Sequence, residues 1–159
     1  MTEADTRRSD NPFPADEDPL IGYNRVWFNL LRVQRSLVPR ISRILREAGV
    51  EDPIWYEILL EIERAGPEGV GMAELESRLY VPQYALSRHT RRMELAGLIH
   101  RTPKPGRGRS RILTLTPEGV GKHERIWPLY QAAIHEELMP RLSTAEAYGL
   151  ARLLIRLYP

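Results

Sequence analysis

The chain has 159 residues, of which 42% are hydrophobic and 28% are charged, as in ordinary globular proteins with a buried core. It contains no cysteine, which excludes disulfide bonds and thiolate zinc sites. No apolar run approaches the roughly 20 residues that a membrane span needs, and the first residues lack the apolar core of a signal peptide. We therefore expect a cytoplasmic protein with no membrane contact.

The apolar pattern separates a short tail from the rest of the chain. Residues 1–19 contain three prolines, are acidic overall and show no apolar period, which predicts a disordered tail. Residues 20–158 show regular apolar periods and predict a single domain. Its first element is a long amphipathic helix over about 20–48, in which Pro39 should produce a kink.

Local capping signals mark the start of three further helices. Residues 52–53 and 116–117 each combine a preferred N-cap residue with a proline in the first turn. Ser143 and Glu146 have the spacing of a capping box. The helices that these signals open should cover about 52–65, 117–139 and 143–157.

The stretch 72–116 predicts a helix-turn-helix followed by a β-hairpin. Pro82 ends the first short helix, because it disfavours helical geometry at the preceding residue, and a second helix continues to about Gly97. Two extended runs, 97–101 and 111–115, flank a tip rich in proline and glycine. The expected fold class is therefore mainly α with a small β-hairpin wing (α+β). Such a winged helix places one helix in a DNA major groove.

Positive charge is concentrated on this same stretch. Between Arg78 and Arg111 there are nine basic residues and one acidic residue, Glu94. The whole chain has 23 basic and 21 acidic residues, so 14 basic and 20 acidic residues lie elsewhere. An isolated run of charge usually marks a solvated face, but a run on a helix-turn-helix indicates nucleic-acid binding. The expected partner is double-stranded DNA.

The helical period divides the second helix of the motif into a buried and an exposed face. Leu86 and Met93 should point inward together with His89 and Thr90. The first turns of the outward face are those that reach base edges, where arginine suits guanine and glutamine suits adenine. The expected base-reading positions are Gln83, Tyr84, Ser87 and Arg88, with contact to phosphate as the alternative for Tyr84.

Four further arginines are expected to contact DNA outside the base edges of the major groove. Arg91 and Arg92 are better placed for phosphate, although Arg92 has an alternative partner in Glu94 or Glu76. Arginines at the hairpin tip would enter the minor groove or grip its flanks. These tip residues are Arg107 and Arg109.

The first helix and the last two helices carry more apolar residues than a small winged-helix lobe can cover. A large uncovered apolar patch usually marks an interface. Two recognition helices one DNA turn apart also require two-fold symmetry. We therefore expect a homodimer held by 20–48 and 117–158, with 52–116 as the DNA-binding lobe.

The order of elements resembles the MarR family of bacterial and archaeal transcription regulators over about 20–158. Three stretches carry the resemblance: 74–79 before the turn, 92–99 after the recognition helix, and 115–119 after the wing. The resemblance implies a transcription regulator, commonly a repressor, that binds a roughly palindromic operator as an obligate dimer. It also implies frequent release by a small aromatic or phenolic ligand.

Two positions depart from the family pattern. Tyr80 stands in the turn where the family usually has glycine, which leaves the local turn geometry open. Arg107 stands where the family usually has an aspartate that braces the wing arginine, here Arg109. Three alternatives follow: Arg109 is held in another way, Arg109 is more mobile, or the added charge raises affinity for phosphate.

Aromatic residues from several helices are the candidates for an effector site, although each taken alone is typical of a core aromatic. They are Trp27, Trp55, Tyr56, His123 and Trp127. Two alternatives to a ligand-released repressor stay open. One is a constitutive DNA-binding regulator, and the other is a winged helix that binds only proteins.

An enzyme is not expected. The sequence has no phosphate-binding glycine loop with its Lys-Ser/Thr, no nucleophile elbow and no HExxH pattern. Its four histidines lack metal-ligand spacing, so neither a metal nor a cofactor is predicted.

Overall fold

The chain forms two compact units, Met1–Val38 and Pro39–Pro159. The tail 1–12, most of the segment predicted to be disordered, and the tip 104–110 lie outside the described residues. No described helix is long and apolar enough to cross a membrane. The computed structural model describes residues 13, 15–16, 18, 20–47, 49–103 and 111–158.

The expected fold, mainly helical with a small wing, is confirmed. The described residues form six α-helices, α1 (Ile21–Glu47), α2 (Pro53–Arg64), α3 (Met72–Leu79), α4 (Gln83–Leu95), α5 (Pro117–Leu138) and α6 (Thr144–Ile155). A 3-10 turn, Gly66–Glu68, precedes the first strand. The strands in the described part of the chain are β1 (Val70–Gly71), β2 (Ile99–Pro103) and β3 (Arg111–Leu115).

The strands form an antiparallel sheet in the order β1-β3-β2, with Val70 opposite Leu113 and Ile99 opposite Leu115. The short strand β1 lies in the glycine-rich link and was not predicted. The strand β2 begins two residues later than predicted, because Gly97 and Leu98 still belong to the end of α4. Leu98 N donates to the carbonyl of Met93 at 2.9 Å, and Gly97 adopts φ 73°.

The core of the second unit holds the helix-turn-helix in place. Helix α2 contacts α3, α4, α5 and β3. Fully buried Leu or Ile side chains each contribute about 1.5–3 kcal/mol of burial free energy, so this core fixes the recognition helix firmly. The side chains with no exposed surface include Ile58, Leu59, Ile62, Leu75, Leu86, Met93 and Leu113.

The predicted helix caps are confirmed. Asp52 accepts a hydrogen bond from Ile54 N at 3.2 Å, and Ser143 and Glu146 form the reciprocal capping box of α6. Thr116 accepts from Gly119 N at 2.9 Å and also donates to the Gly97 carbonyl at 2.7 Å. The start of α5 is therefore tied directly to the end of the recognition helix.

The turn between α3 and α4 resolves the first departure from the family pattern. Tyr80 adopts the left-handed conformation that glycine usually supplies, with φ 53°, and its N–H closes α3 on the Glu76 carbonyl at 3.0 Å. This conformation costs a side-chain-bearing residue about 1–2 kcal/mol. The Tyr80 ring meets the Tyr158 ring edge to face, with centroids 5.9 Å apart.

The part of α1 that belongs to the first unit, residues 21–38, is mostly exposed. Tyr23 and Trp27 keep 75% and 59% of their surface exposed. Arg25 pairs with Asp16 and lies 3.8 Å from the centre of the Phe13 ring. The hydrogen bond from Arg25 lowers the pKa of the Asp16 carboxyl.

Candidate nucleic-acid interface

Helix α4 has the two faces that the sequence predicts. Leu86, His89, Thr90 and Met93 are buried against the lobe. The opposite face is solvent-exposed, and Tyr84 on this face is 79% exposed. The exposed residues of α4 therefore include all six that were expected to contact DNA: Gln83, Tyr84, Ser87, Arg88, Arg91 and Arg92.

The arginines of the motif differ in whether acidic side chains neutralise them. Arg88 and Arg91 form no ion pair with any residue that the structure describes. Arg78 on α3 instead bonds to both Glu61, at 3.1 Å, and Glu74, at 2.5 Å. The uncompensated charge of the helix-turn-helix is therefore concentrated on the exposed face of α4.

Arg92 is intermediate between these two cases, because it has a single acidic partner among the described residues. Its guanidinium lies 3.2 Å from Glu51 and 5.4 Å from the centre of the Trp55 ring, so its partner is neither Glu94 nor Glu76. The ion pair is about half exposed on both sides, and pairs of this kind contribute at most about 1 kcal/mol. A nearby phosphate could therefore replace Glu51 at small cost.

The start of α4 is capped across the turn. Pro82 occupies the N-cap position and offers no side-chain acceptor. Glu76 takes over this role, since its carboxylate accepts from Gln83 N at 3.2 Å. This contact fixes the first residue of the recognition helix and uses one of the amides that would otherwise face an anion.

A cleft separates α4 from the wing strands; we refer to it as the α4–wing cleft. It has a volume of about 570 Å³ and is lined by Met72, Ala73, Gln83, Tyr84, Ser87, Arg101 and Arg111. The sequence identifies Arg101 and Arg111 as basic residues but does not predict them as contact residues. The side of the sheet that each arginine faces depends on the pairing of β2 with β3, where Arg101 lies opposite Leu113, and this pairing has no signal in the local sequence.

The predicted contacts at the wing tip lie outside the described residues. Arg107 and Arg109 both fall in 104–110, so their role and the effect of the missing aspartate stay predictions.

The aromatic effector candidates do not form one group. Tyr56 stacks on His123 with ring centroids 4.8 Å apart and on Trp127 at 5.6 Å, and Tyr130 meets Tyr56 edge to face at 5.3 Å. We call these four residues the aromatic stack. Trp55 instead lies buried beside Arg92. Trp27 belongs to the first unit.

His123 of the aromatic stack also lies beside an acidic side chain. His123 Nδ1 lies 3.1 Å from a Glu63 carboxylate oxygen, while its Nε2 is buried and bonds to no described atom. Burial raises the pKa of both Tyr56 and Tyr130, so both phenols stay protonated at neutral pH. Among the described residues, no group of three or more acidic, histidine or cysteine side chains is placed to hold a metal ion.

Comparison with known proteins supports the interpretation of α4 as the recognition helix of a winged helix. Residues 48–110, which contain the recognition helix and the turn, match the model of the MarR family. The matched residues are similar to the winged helix of the MarR family. This match confirms the resemblance that the sequence motifs indicated. A search among curated proteins found no match.

Solved structures share the fold over most of the chain. A MarR family transcriptional regulator from Streptomyces coelicolor in complex with DNA has a TM-score of 0.76 and 20% identity, covering 86% of each chain. The reduced form of MarR from E. coli has a TM-score of 0.62 and 26% identity, covering 82% of this chain and 96% of that one.

A third structure with this fold contains a small molecule. It is an organohalide-sensing transcriptional regulator in its 2,4-dichlorophenol-bound form, with a TM-score of 0.71 and 20% identity, covering 95% of this chain and 85% of that chain. These MarR-like proteins are transcriptional regulators and not enzymes, as the sequence predicts for this chain.

Proposed function

We propose that the protein is a sequence-specific regulator of transcription that binds double-stranded DNA as a homodimer, most simply as a repressor on a pseudo-palindromic operator. The observation that carries the proposal is the exposed face of α4. It presents Arg88 and Arg91 without acidic partners among the described residues, on a helix whose other face is fully packed. Side chains of this kind suit base edges and phosphates in a major groove. A DNA partner also favours the cytoplasmic location expected from sequence.

The uncovered apolar surfaces support the homodimer. None of the 12 residues of α6 is buried, and Leu153 on α6 is 58% exposed. Side chains of α5 and α6 also line an apolar groove of about 700 Å³. A second copy of the chain would cover these surfaces, so we assign dimerisation to 20–48 and 117–158 and DNA binding to 52–116.

Release by a small aromatic molecule is the finer part of the proposal. The rings of the aromatic stack lie at contact distance, so no ligand fits between them. A ligand would lie on the outer side of Trp127, which is 43% exposed, with Tyr56 and His123 behind it. The dichlorophenol-bound relative makes phenols the first compounds to test. Neither Trp55 nor Trp27 belongs to the aromatic stack, so neither is assigned to this ligand position. If no effector exists, the protein is a constitutive DNA binder.

Binding to genomic fragments that the protein retains tests the main proposal. The wild-type dimer should retard duplex DNA at near-physiological salt. The double variant Arg88→Ala/Arg91→Ala should bind about 30-fold more weakly or worse, since each such contact contributes about 1–3 kcal/mol. The matched control is Arg64→Ala/Arg125→Ala, which removes two arginines that pair with Glu61 and Glu118 at 2.7 Å. If the wild type does not retard DNA, the chain is a protein-interaction module.

A titration of phenols and aromatic carboxylates tests the effector. The expected result is a change in tryptophan fluorescence together with loss of DNA binding, and Trp127→Phe should weaken both. If no compound changes both signals, the regulator is constitutive.

A further inference from the structure

We propose that the α4–wing cleft is the binding site for one phosphodiester group of the DNA backbone, with Arg101 as its inner ligand and Arg111 at its rim. The inference rests on the proposed DNA binding and adds two residues and one defined phosphate position to it.

Arg101 occupies an unusual place for a cation. Along β2, Ile99 is buried, His100 is exposed and Arg101 is partly buried, so Arg101 takes the register position that faces inward. Only 19% of its side-chain surface is exposed. A guanidinium at such a position is costly unless its N–H groups find acceptors.

The described surroundings do not provide those acceptors. Arg101 Nε is buried and donates to no described atom. The nearest acidic group is Glu94, whose oxygen lies 3.6 Å from Nη1, too far for a good hydrogen bond. The position of Arg101 is therefore set by strand β2 and by the charge of Glu94 on α4. Its Nε–H still lacks an acceptor among the described residues.

The lining of the cleft identifies the chemistry of its occupant. The polar side chains that line it belong to the two strand arginines and, on α4, to Tyr84, Ser87 and Gln83. No acidic residue is among the described residues that line the cleft. All of these groups donate hydrogen bonds, and a guanidinium pairs with two phosphate oxygens at once. A phosphodiester between the recognition helix and the wing meets this requirement.

Salt dependence of binding provides the first test. Arg101→Gln and Arg111→Gln should each weaken binding to every retained duplex and reduce the slope of log K against log salt by about 0.9. The control Arg125→Gln, which removes an exposed cation of α5, should leave the slope unchanged. Glu94→Gln should strengthen binding, because it removes the acid that competes for Arg101.

Neutral replacement of single phosphates provides the second test. Methylphosphonates are placed one at a time along a duplex that the wild type retains. One position in each half-site should weaken wild-type binding but have a much smaller effect on Arg101→Gln or Arg111→Gln. If Arg101→Gln does not fold, Arg111→Gln decides the result.

The outcomes separate this inference from the proposed function. If the wild type binds DNA but both arginine variants keep the wild-type slope, or no phosphate position is coupled to either arginine, the inference is overturned and the proposed function stands. If the wild type binds no duplex, the proposed function itself fails.

Discussion

Helices α4 and α6 are nearly equal in length, with 13 and 12 residues, yet they use their surfaces in opposite ways. Helix α4 buries one apolar face in the lobe and exposes a polar, cationic face. Helix α6 buries no residue, and the side chains that it exposes include Tyr148, Leu150, Leu153 and Ile155. Both helices therefore present a face that the protomer leaves uncovered.

The chemistry of each uncovered face indicates its partner. An exposed row of arginines with no acidic partner is stable in water and attracts a polyanion. An exposed row of leucine and isoleucine is costly in water and favours association with another apolar surface. The capping box of α6 stabilises the helix locally, but it does not reduce this apolar exposure. We therefore relate α4 to the proposed DNA partner and α6 to the second copy of the chain in the proposed homodimer.

The largest predicted effect follows from placing a charge on the apolar face of α6. Leu153→Asp should dissociate the dimer, because burying an unpaired carboxylate at an interface costs about 2 kcal/mol or more. Sedimentation at low micromolar concentration should show about twice 18.4 kDa for the wild type and 18.4 kDa for the variant. Arg152→Gln on the same helix is the control and should remain dimeric. A monodisperse wild-type monomer would remove α6 from the proposed interface.

The next prediction separates two roles on α4. Arg88→Ala should lose about 1–3 kcal/mol on the preferred operator and relax the sequence preference at one base pair. Arg91→Ala should weaken all duplexes alike and reduce the salt slope by about 0.9, as expected for a phosphate contact. Competition between operator and random duplexes at several salt concentrations measures both quantities. Identical behaviour of the two variants would contradict the division of roles.

These predictions use features that the sequence already contains. The faces of α4 follow from helical spacing, and the caps at Asp52, Thr116 and Ser143 are signals within a few residues of chain. Similar local signals also predicted where most of the helices begin and end. The resemblance to MarR regulators is carried by stretches of the same kind, 74–79, 92–99 and 115–119, in which caps and turns depend on neighbouring residues.

The features that were missed depend on contacts between distant segments. Strand β1 exists because Val70 and Gly71 pair with β3, which lies about 40 residues later. Arg92 is separated by 41 residues from Glu51, its partner in the structure. The inward position of Arg101 follows from the register of β2 on β3. None of these pairings has a signal in the local sequence.

A smaller effect concerns the turn that positions α4. Tyr80→Gly removes backbone strain of about 1–2 kcal/mol but adds the flexibility of glycine to the unfolded chain, which costs about 0.5–1 kcal/mol. It also removes the ring contact with Tyr158. Tyr80→Gly should therefore change the free energy of unfolding more favourably in a Tyr158→Ala background, where this ring contact is already absent, than in the wild type, as measured in urea titrations. An equal effect in both backgrounds would show that the contact between the two rings contributes nothing to stability.

The smallest predicted effect is acid destabilisation through His89 on the buried face of α4. Helix α6 contains no histidine and has no such effect. Burial lowers the pKa of His89, against the opposing charge of Asp52, whose oxygen lies 3.8 Å away. The folded lobe therefore disfavours the protonated form. The stability contribution of neutral His89 is complete above pH 6.5, the ordinary histidine value, and is lost as the pH falls through the lowered pKa.

Urea unfolding at pH 7.5 and pH 5 should show less acid destabilisation for His89→Gln than for the wild type. His100→Gln, at an exposed position of β2, is the control. Equal acid sensitivity of His89→Gln and the wild type would mean that protonation of His89 does not loosen the packing of α4.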